Sequence, residues 1–529
     1  MSRFIHPYNF VPLPASVPRQ PVETAPGWGR LAEDTYSGYL QADITVFTRL
    51  FIPSRRPMDV GWEITTDKHQ ENKHPVYKKF LYHSVGNKKM IPGSSIKGPV
   101  RSVMEVLSDS CLGLYGGKYK KDQHDKKRRL DYSNKASAEV KPGRCRLRAE
   151  TGGPVTNPAD GLCVCCRLFG LAAGGGAEPE SGEYTALQGR LTFDDFYLSD
   201  ADKKVISTSH FTLPELSDPK PWHAQFYLDT GGQIRGRKFY LHYDPDPTKL
   251  NTKDKTERNC TIQESILPGA VFTGRIRFTN LTGWELGLLL WGLELDDLPP
   301  FDAEGKRTPD LKAHKLGMGK PLGLGSVKIR VTGMALMQPA RRYGEFTWPE
   351  DGKDGLETSV TGDELRTQVR ELKETWAADA FQDRSQLSTL LTFPARRAIS
   401  VRYPGYGWFR PCSHVNLAAD GILADPCPPP ATPPKPEGSP QGLQDDVQTD
   451  PVPPPRRVPK KPEKAGPKER VVTVLAVTAK GARIEFDGQT LTVTGISSYL
   501  NIKPQDKIKV RINKQPDGRL KVDFKGKAS

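Results

Sequence analysis

Residues 41–51 (QADITVFTRLF) alternate apolar and polar side chains, the period of a half-buried β-strand. Residues 94–108 (SSIKGPVRSVMEVLS) read instead as a helix entered through a Gly-Ser-Ser turn. Residues 187–198 (LQGRLTFDDFYL) and 268–279 (PGAVFTGRIRFT) are further strand candidates. Thr282 and Glu285 form a capping box ahead of Leu286, Leu289, Leu290 and Leu293, which predicts a buried helix. Residues 326–334 (SVKIRVTGM) return to strand. The order β-α-β-β-α-β is that of a ferredoxin-like α+β fold, also used by RNA-recognition (RRM) domains. Long connections interrupt it at about 109–182 and 199–265, so the core and its insertions take up residues 1–335. A last helical stretch, about 361–392, belongs to a C-terminal extension over 336–425.

The clearest boundary is a proline-rich tract over residues 426–467, which has no apolar periodicity and reads as an extended linker. Beyond it, residues 468–529 read as a small all-β module. Ala482, Ile484 and Phe486 alternate with Arg483 and Glu485 before an Asp487-Gly488 hairpin turn. Ile508, Val510 and Ile512 alternate with Lys507, Lys509 and Arg511. After Asp517-Gly518, Leu520, Val522 and Phe524 alternate with Arg519, Lys521 and Asp523. Such short strands in so few residues suit an OB-like barrel. The module carries 13 basic and 6 acidic residues, a net of +7, as binding to a single strand of nucleic acid requires. Tyr499 is its best candidate for stacking on a base.

Charge then narrows the function. Across 529 residues, Lys plus Arg (77) exceed Asp plus Glu (62), which favours a polyanionic partner, nucleic acid or an anionic membrane surface. The membrane reading weakens, because the most apolar stretch, residues 286–295, is far short of the ~20 residues a spanning helix needs. The first residues (MSRFIHPY) lack the apolar core of a signal peptide. The expectation is a cytoplasmic protein that binds nucleic acid and no membrane.

Eight cysteines in so long a chain do not make a disulfide scaffold. Cys163 and Cys166 have the C-x-x-C spacing of a zinc site. No second C-x-x-C exists, so Cys145, with Cys111, would have to complete a structural zinc from a distance. The alternative is a set of buried, reduced cysteines beside an apolar turn.

Residues 91–101 (IPGSSIKGPVR) are the most specific signal. Gly93, Ser94 and Ser95 offer amides and hydroxyls at a helix N-terminus, and Lys97 and Arg101 share one helix face. The second signal is residues 317–326 (GMGKPLGLGS), where Gly317, Gly319, Gly323 and Gly325 flank Lys320 and would let the backbone approach a polyanion. The spacing fits neither a Walker loop nor G-x-G-x-x-G, so nucleotide hydrolysis and dinucleotide chemistry are poorly supported. Residues 235–240 (RGRKFY) add Arg235, Arg237, Lys238 and Tyr240, an RNA-contact pattern. Residues 118–129 carry seven cations against two acids, an arm that can neutralise phosphates without reading sequence.

The P-G-S-S-x-K-G-x-x-R turn, the C-R-L-F-G segment at 166–170, the strand at 189–195 (GRLTFDD) and the late glycine loop occur in that order. Together they resemble the RAMP superfamily of CRISPR effector proteins, and within it the type III backbone subunits that line up along a guide RNA. The resemblance covers about residues 40–335. It implies an RRM-like core, guide-RNA backbone contacts from the helix turn and the glycine loop, and a role in antiviral defence. The implied partners are guide RNA, target RNA and other effector subunits.

In target-cutting subunits of this kind, an acidic residue shortly precedes a Pro-Val pair upstream of the P-G-S-S turn. The matching stretch here is Asn72-Lys73-His74-Pro75-Val76, and Lys73 occupies the acidic position. A cation cannot supply the carboxylate that holds magnesium at a scissile phosphate. Asp67 is a carboxylate upstream of it, Glu71 becomes an option if the alignment slips, and His69, His74 and His83 lie close enough for metal-free acid–base cleavage. The leading expectation is a guide-RNA holder that does not cut. The alternatives are a metal-independent endoribonuclease processing repeat RNA, and an RNA-binding protein outside CRISPR defence.

Overall fold

The computed structural model describes residues 2–20, 31–54, 59–67, 70–112, 119–121, 128–130, 145, 161–172, 186–199, 204–216, 224–228, 234–245, 250–252, 259–295, 311–344, 357–378, 380–381, 384–393, 399–409, 411–412, 414–418, 420–425, 469–478, 481–486, 489–493, 505–514 and 520–527. The chain divides into two units, Met1–Pro433 and Pro434–Ser529.

In the first unit, strand β1 (Tyr36–Val46) buries Leu40, Ala42, Ile44 and Val46 and turns Tyr39, Gln41, Asp43 and Thr45 to its other face. Helix α1 (Gly93–Leu107) buries Ile96, Val100, Val103, Met104 and Leu107, a stripe at helical spacing. A short helix α2 (Val164–Phe169) carries the C-R-L-F-G segment. Strands β2 (Leu191–Phe193) and β3 (Phe196–Leu198) follow, then β4 (Val271–Leu281), helix α3 (Gly283–Leu293) and strand β5 (Ser326–Met337). The sheet is antiparallel, with β1 between β4 and β5, so Ile44 lies opposite both Phe272 and Ile329. Strands β2 and β3 pair with the far side of β4.

Helix α3 is apolar almost all round because it is covered on more than one side. Its Gly292 packs against Met104 of α1, and its Gly287 against the Leu372 carbonyl of helix α4 (Gly362–Trp376). The capping box forms as expected: the Glu285 amide donates to Thr282 Oγ1 at 3.2 Å, and the Thr282 amide to Glu285 Oε2 at 3.1 Å. Just past α3, Glu294 is fully buried. It accepts from the Val331 amide at 2.7 Å and from Arg366 of α4 at 3.0 Å. A buried carboxylate needs such partners, and here they fasten the C-terminal extension to the core.

Some elements differ from the sequence reading. The stretch expected to be helical over 361–392 is two helices, α4 and α5 (Ser385–Leu391). The strand expected over 187–198 breaks at Asp194-Asp195. There the Asp194 amide donates to the Arg275 carbonyl, and Asp195 turns to accept from Gly93. Asp59–Asp67 and Gln70–Phe80 pair as a hairpin, with Glu63 opposite His74 and Ile64 opposite Lys73. Within the basic run, Tyr119–Lys121 pairs with Arg128–Leu130.

A second, aromatic cluster stands apart from the main core. It gathers Phe4, Tyr8, Phe10, Phe226, Trp408 and Leu423, where Ser2–Ile5 pairs with Ile422–Asp425 and Tyr8–Val11 pairs with Arg237–Tyr240. Among the described residues, no helix is long and apolar enough to cross a membrane.

The second unit is five antiparallel strands: β6 (Glu469–Thr478), β7 (Gly481–Phe486), β8 (Gln489–Val493), β9 (Lys507–Lys514) and β10 (Leu520–Lys527). They run in the order β8-β7-β6-β9-β10, and β8 also approaches β10. Val474, Ile484, Val493 and Val510, one from each of four strands, are completely buried.

Candidate nucleic-acid interface

The glycine loop is held from below. Thr48 Oγ1 donates to the Gly323 carbonyl at 2.8 Å, and the buried Lys315 ammonium donates to the carbonyls of Gly323 and Leu324 at 2.9 and 3.0 Å. Gly317, Gly319, Gly323 and Gly325 all have φ between 72° and 89°, the left-handed region that glycine enters freely. A Cβ on Gly325 would overlap the Leu316 carbonyl, and one on Gly317 the Phe51 carbonyl. The amides of Met318, Leu322, Gly323, Leu324 and Gly325 donate to carbonyls of Phe51, Gly319, Lys320, Gly319 and Arg49. The glycines are therefore required chiefly by the turn itself, and the loop's principal free charge is Lys320.

Lys320 lies close to the second cation-bearing segment. Arg237–Tyr240 pairs with Tyr8–Val11 so that Lys238 is opposite Phe10 and Tyr240 opposite Tyr8. The Lys238 ammonium sits 3.6 Å from the Tyr8 ring centre, 4.9 Å from Tyr240 and 5.7 Å from Tyr227. Ring faces attract a cation, which partly offsets its loss of water. Burial, and then the charge of Lys320, pushes the Lys238 ammonium down to about 8. Burial also holds Lys320 below the usual lysine value. Among the described residues, neither lysine has an ion-pair partner.

The arginines of the same segment are engaged inside the protein. Arg237 is buried, pairs with Glu105 of α1 at 3.2 Å and donates to the Ser110 carbonyl. Arg235 donates to the carbonyls of Leu228, at 2.7 Å, and Leu417.

The turn at the start of α1 is likewise tied into the fold. The Gly93 amide donates to Asp195 Oδ1 at 2.9 Å, and a Cβ at Gly93 would overlap the Phe193 carbonyl. Ser94 is exposed and Ser95 half-buried, with the Ser95 amide on the Pro92 carbonyl. Lys97 donates to the Phe169 carbonyl at 3.2 Å, and Arg101 pairs with Glu105 at 2.8 Å. Both cations lie over the Phe169 ring, at 5.9 and 5.6 Å. Arg167 of the same C-R-L-F-G segment pairs with the capping-box Glu285 at 2.5 Å. These motif residues thus form one interlocked network.

The model of the RAMP superfamily matches residues 43–328, more than half of the chain. The chain belongs to the RAMP superfamily. Among solved structures, Csc2 of Thermofilum pendens is similar at 12% identity and a TM-score of 0.26, covering 70% of this chain and 92% of that one. No curated protein matches. The RAMP match spans the α1 turn, the C-R-L-F-G helix, Arg237–Tyr240 and the whole glycine loop up to Lys328.

Sequence reasoning missed Tyr8, Tyr227 and Glu105. The Tyr8-Asn9-Phe10 alternation is the one local sign that Tyr8 lies on a strand beside an aromatic neighbour. Glu105 has the i, i+4 spacing to Arg101, but its pairing with Arg237 is visible only in three dimensions. Of the cleavage candidates, His69 and the side chains of Asp67, Glu71, Lys73 and His74 lie outside the described residues. His83 is half-buried, its amide donating to the Ile52 carbonyl at 2.8 Å.

Four cysteines converge in the same unit. The sulfurs of Cys111, Cys145, Cys163 and Cys166 lie within 4.8 Å of one another, and all four residues are buried. Cys165 points elsewhere, its sulfur 3.5 Å from Ser108 Oγ.

Proposed function

We propose that this RAMP protein holds guide RNA in a type III-like CRISPR ribonucleoprotein of antiviral defence. The observation that carries the reading is the meeting of Lys238 and Lys320. Two poorly hydrated cations from segments some eighty residues apart lie near enough for the charge of Lys320 to lower Lys238, and neither has an ion-pair partner among the described residues, which leaves their charge for an external anion. A phosphate of an RNA backbone fits that need, and the half-buried Tyr227 and Tyr240 are the candidates for stacking on a base. Sequence would then be read by guide–target pairing while the protein holds the backbone.

Three features support the finer parts of the reading. Within a nine-stranded sheet, the order β5-β1-β4-β2 supports a ferredoxin-like, RRM-type core. The order β8-β7-β6-β9-β10, with β8 near β10, favours an OB-like barrel for the C-terminal module. Lys73 at the family's acidic position favours holding over cutting. Target RNA and neighbouring effector subunits are the further partners this role entails, in the cytoplasm.

The test is binding of labelled single-stranded guide RNA to the full chain, with Lys238→Ala/Lys320→Ala beside the wild type. Weaker binding to all sequences alike is expected. Unchanged binding would remove the site from the proposal. Adding target RNA and magnesium to the reconstituted complex should give binding without cleavage, and discrete fragments would overturn the holder reading. Fragment 468–529 should show β-type circular dichroism, and a random-coil spectrum would remove the barrel.

A further inference from the structure

We propose that the cleft beside Arg49 and Phe211 binds one ribonucleotide, with its phosphate on Arg49, its base against Phe211 and its sugar hydroxyls on Asp244. The proposal goes beyond the Lys238–Lys320 pair, since none of these three residues belongs to that site.

The cleft is open and measures about 400 Å³, within the size range of small-ligand sites. Phe211, Pro245, Leu250, Leu267 and Pro268 give it apolar walls. Ser209, His210, Asp244 and Asn251 stand exposed along it, and Arg49 is half-buried. Apolar walls with a few placed polar groups suit a nucleoside, whose base leaves water while its sugar and phosphate keep partners.

Arg49 is aimed from two sides. Its Nη1 donates to Ser265 Oγ at 2.9 Å and to Ser207 Oγ at 3.2 Å, and its guanidinium carbon stands 5.3 Å from the Phe211 ring centre. Both hydroxyls take the same nitrogen, so among the described residues the rest of the guanidinium has no hydrogen-bond partner and no carboxylate pairs with it. A planar guanidinium with N–H groups to spare binds phosphate through two parallel bonds. Burial holds Arg49 below the usual arginine value, so water serves its charge poorly.

Asp244 decides the class of ligand. It lines the same cleft as Arg49, yet the two form no ion pair. Burial, then the charge of Lys320, pushes the Lys315 ammonium well down, and Asp244 works against that fall from its place beside the cleft. A cation and an acid held apart in one cleft suit a ligand with an anion at one end and donors at the other. A nucleotide has that order, because a carboxylate accepts from sugar hydroxyls. Inorganic phosphate would meet Arg49 and leave the acid and the apolar walls unused.

The cleft shares its frame with the glycine loop. Thr48 lines it and donates to the Gly323 carbonyl, and the Arg49 carbonyl accepts from the Gly325 amide at 3.0 Å. A Cβ on Gly323 would come within 3.2 Å of Pro245. The same chemistry therefore serves a free nucleotide or one residue of an RNA strand that passes the loop.

The experiment is calorimetric titration of the full chain with adenosine monophosphate, beside its deoxy form. Wild type should bind the ribonucleotide and prefer it. Arg49→Gln should weaken binding roughly tenfold or more, through lost hydrogen bonds to a charged group. Phe211→Leu should weaken it roughly fivefold or more, through lost stacking. Asp244→Ala should abolish the preference for the ribose form. Displacement of the nucleotide by single-stranded guide RNA would support the cleft as the seat of one residue of the strand, and joint binding would support it as a site for a free nucleotide. Should Arg49→Gln fail to fold, photolabelling of wild type with azidoadenosine monophosphate decides. Label on His210 or Phe211 supports the cleft, and label elsewhere overturns it. No binding by wild type, or equal affinity for the deoxy form, would overturn the proposal. So would a loss seen in Lys238→Ala/Lys320→Ala but not in Arg49→Gln, which would place the nucleotide at the lysine pair.

Discussion

The α1 turn and the Lys238–Lys320 pair both present two poorly hydrated cations, but only the turn has an acid, the Glu105 carboxylate beside Arg101. At the turn, Lys97 is held by a backbone carbonyl and Arg101 by Glu105, which also holds Arg237. At the pair, tyrosine rings surround Lys238 and no acid among the described residues answers either ammonium. The more recognisable motif is thus the better neutralised one. A sequence signature can record an internal network as readily as a ligand contact. Partner geometry, more than motif strength, tells the two apart.

The largest expected effect is at Glu105. Replacing it by Gln leaves Arg101 and Arg237 without their shared carboxylate, and breaking a buried pair in this way costs about 3–5 kcal/mol. Denaturant unfolding of the first unit should report that loss. A variant with wild-type stability but weakened RNA binding would reverse the comparison.

Next comes the glycine loop. Gly325→Ala puts a side chain at φ +77° and against the Leu316 carbonyl, for a cost of about 1–3 kcal/mol. Thermal unfolding would check this, and a neutral result would mean the loop tolerates another path.

The pair should also respond to pH. Lys238 is lowered in the fold to about 8 from 10.5, so between those values the unfolded chain binds the extra proton. Its contribution to stability therefore rises as pH goes from 8 to 10.5 and is lost as pH falls through 8. Bound phosphate would restore the proton, so RNA affinity should fall above pH 8, by up to about tenfold per pH unit. Lys238→Met should flatten both profiles, whereas Arg101→Ala should flatten neither. The smallest effect is expected at Lys97→Ala, whose part-buried hydrogen bond to the Phe169 carbonyl is worth about 1 kcal/mol.

Periodicity carried most of the fold. The core strands around Phe272 and Ile329, the α1 stripe and the Thr282–Glu285 capping box are local patterns that lie close to where alternation and capping chemistry place them, whereas the strand expected over 41–51 runs instead over Tyr36–Val46. The break at Asp194-Asp195 was not legible, because its cause is the Gly93 amide on a distant helix. The site was half legible for the same reason. Lys238, Tyr240 and Lys320 stand out in their own segments, while Tyr8 and Tyr227 join them only through strand pairing and the aromatic cluster. That Arg235 and Arg237 face inward follows from Leu228, Leu417 and Glu105, residues with no sequence link to the segment.

The central claim, that Lys238 and Lys320 hold an RNA backbone while Arg101 of α1 is paired inside the protein, is tested most directly by the salt dependence of guide-RNA binding. Each phosphate contact adds about 0.7 to the slope of log affinity against log salt for a single strand. Lys238→Ala/Lys320→Ala should lower that slope by about 1.4, and Arg101→Ala should leave it unchanged. An unchanged slope in the double variant, or a loss confined to Arg101→Ala, would contradict the account.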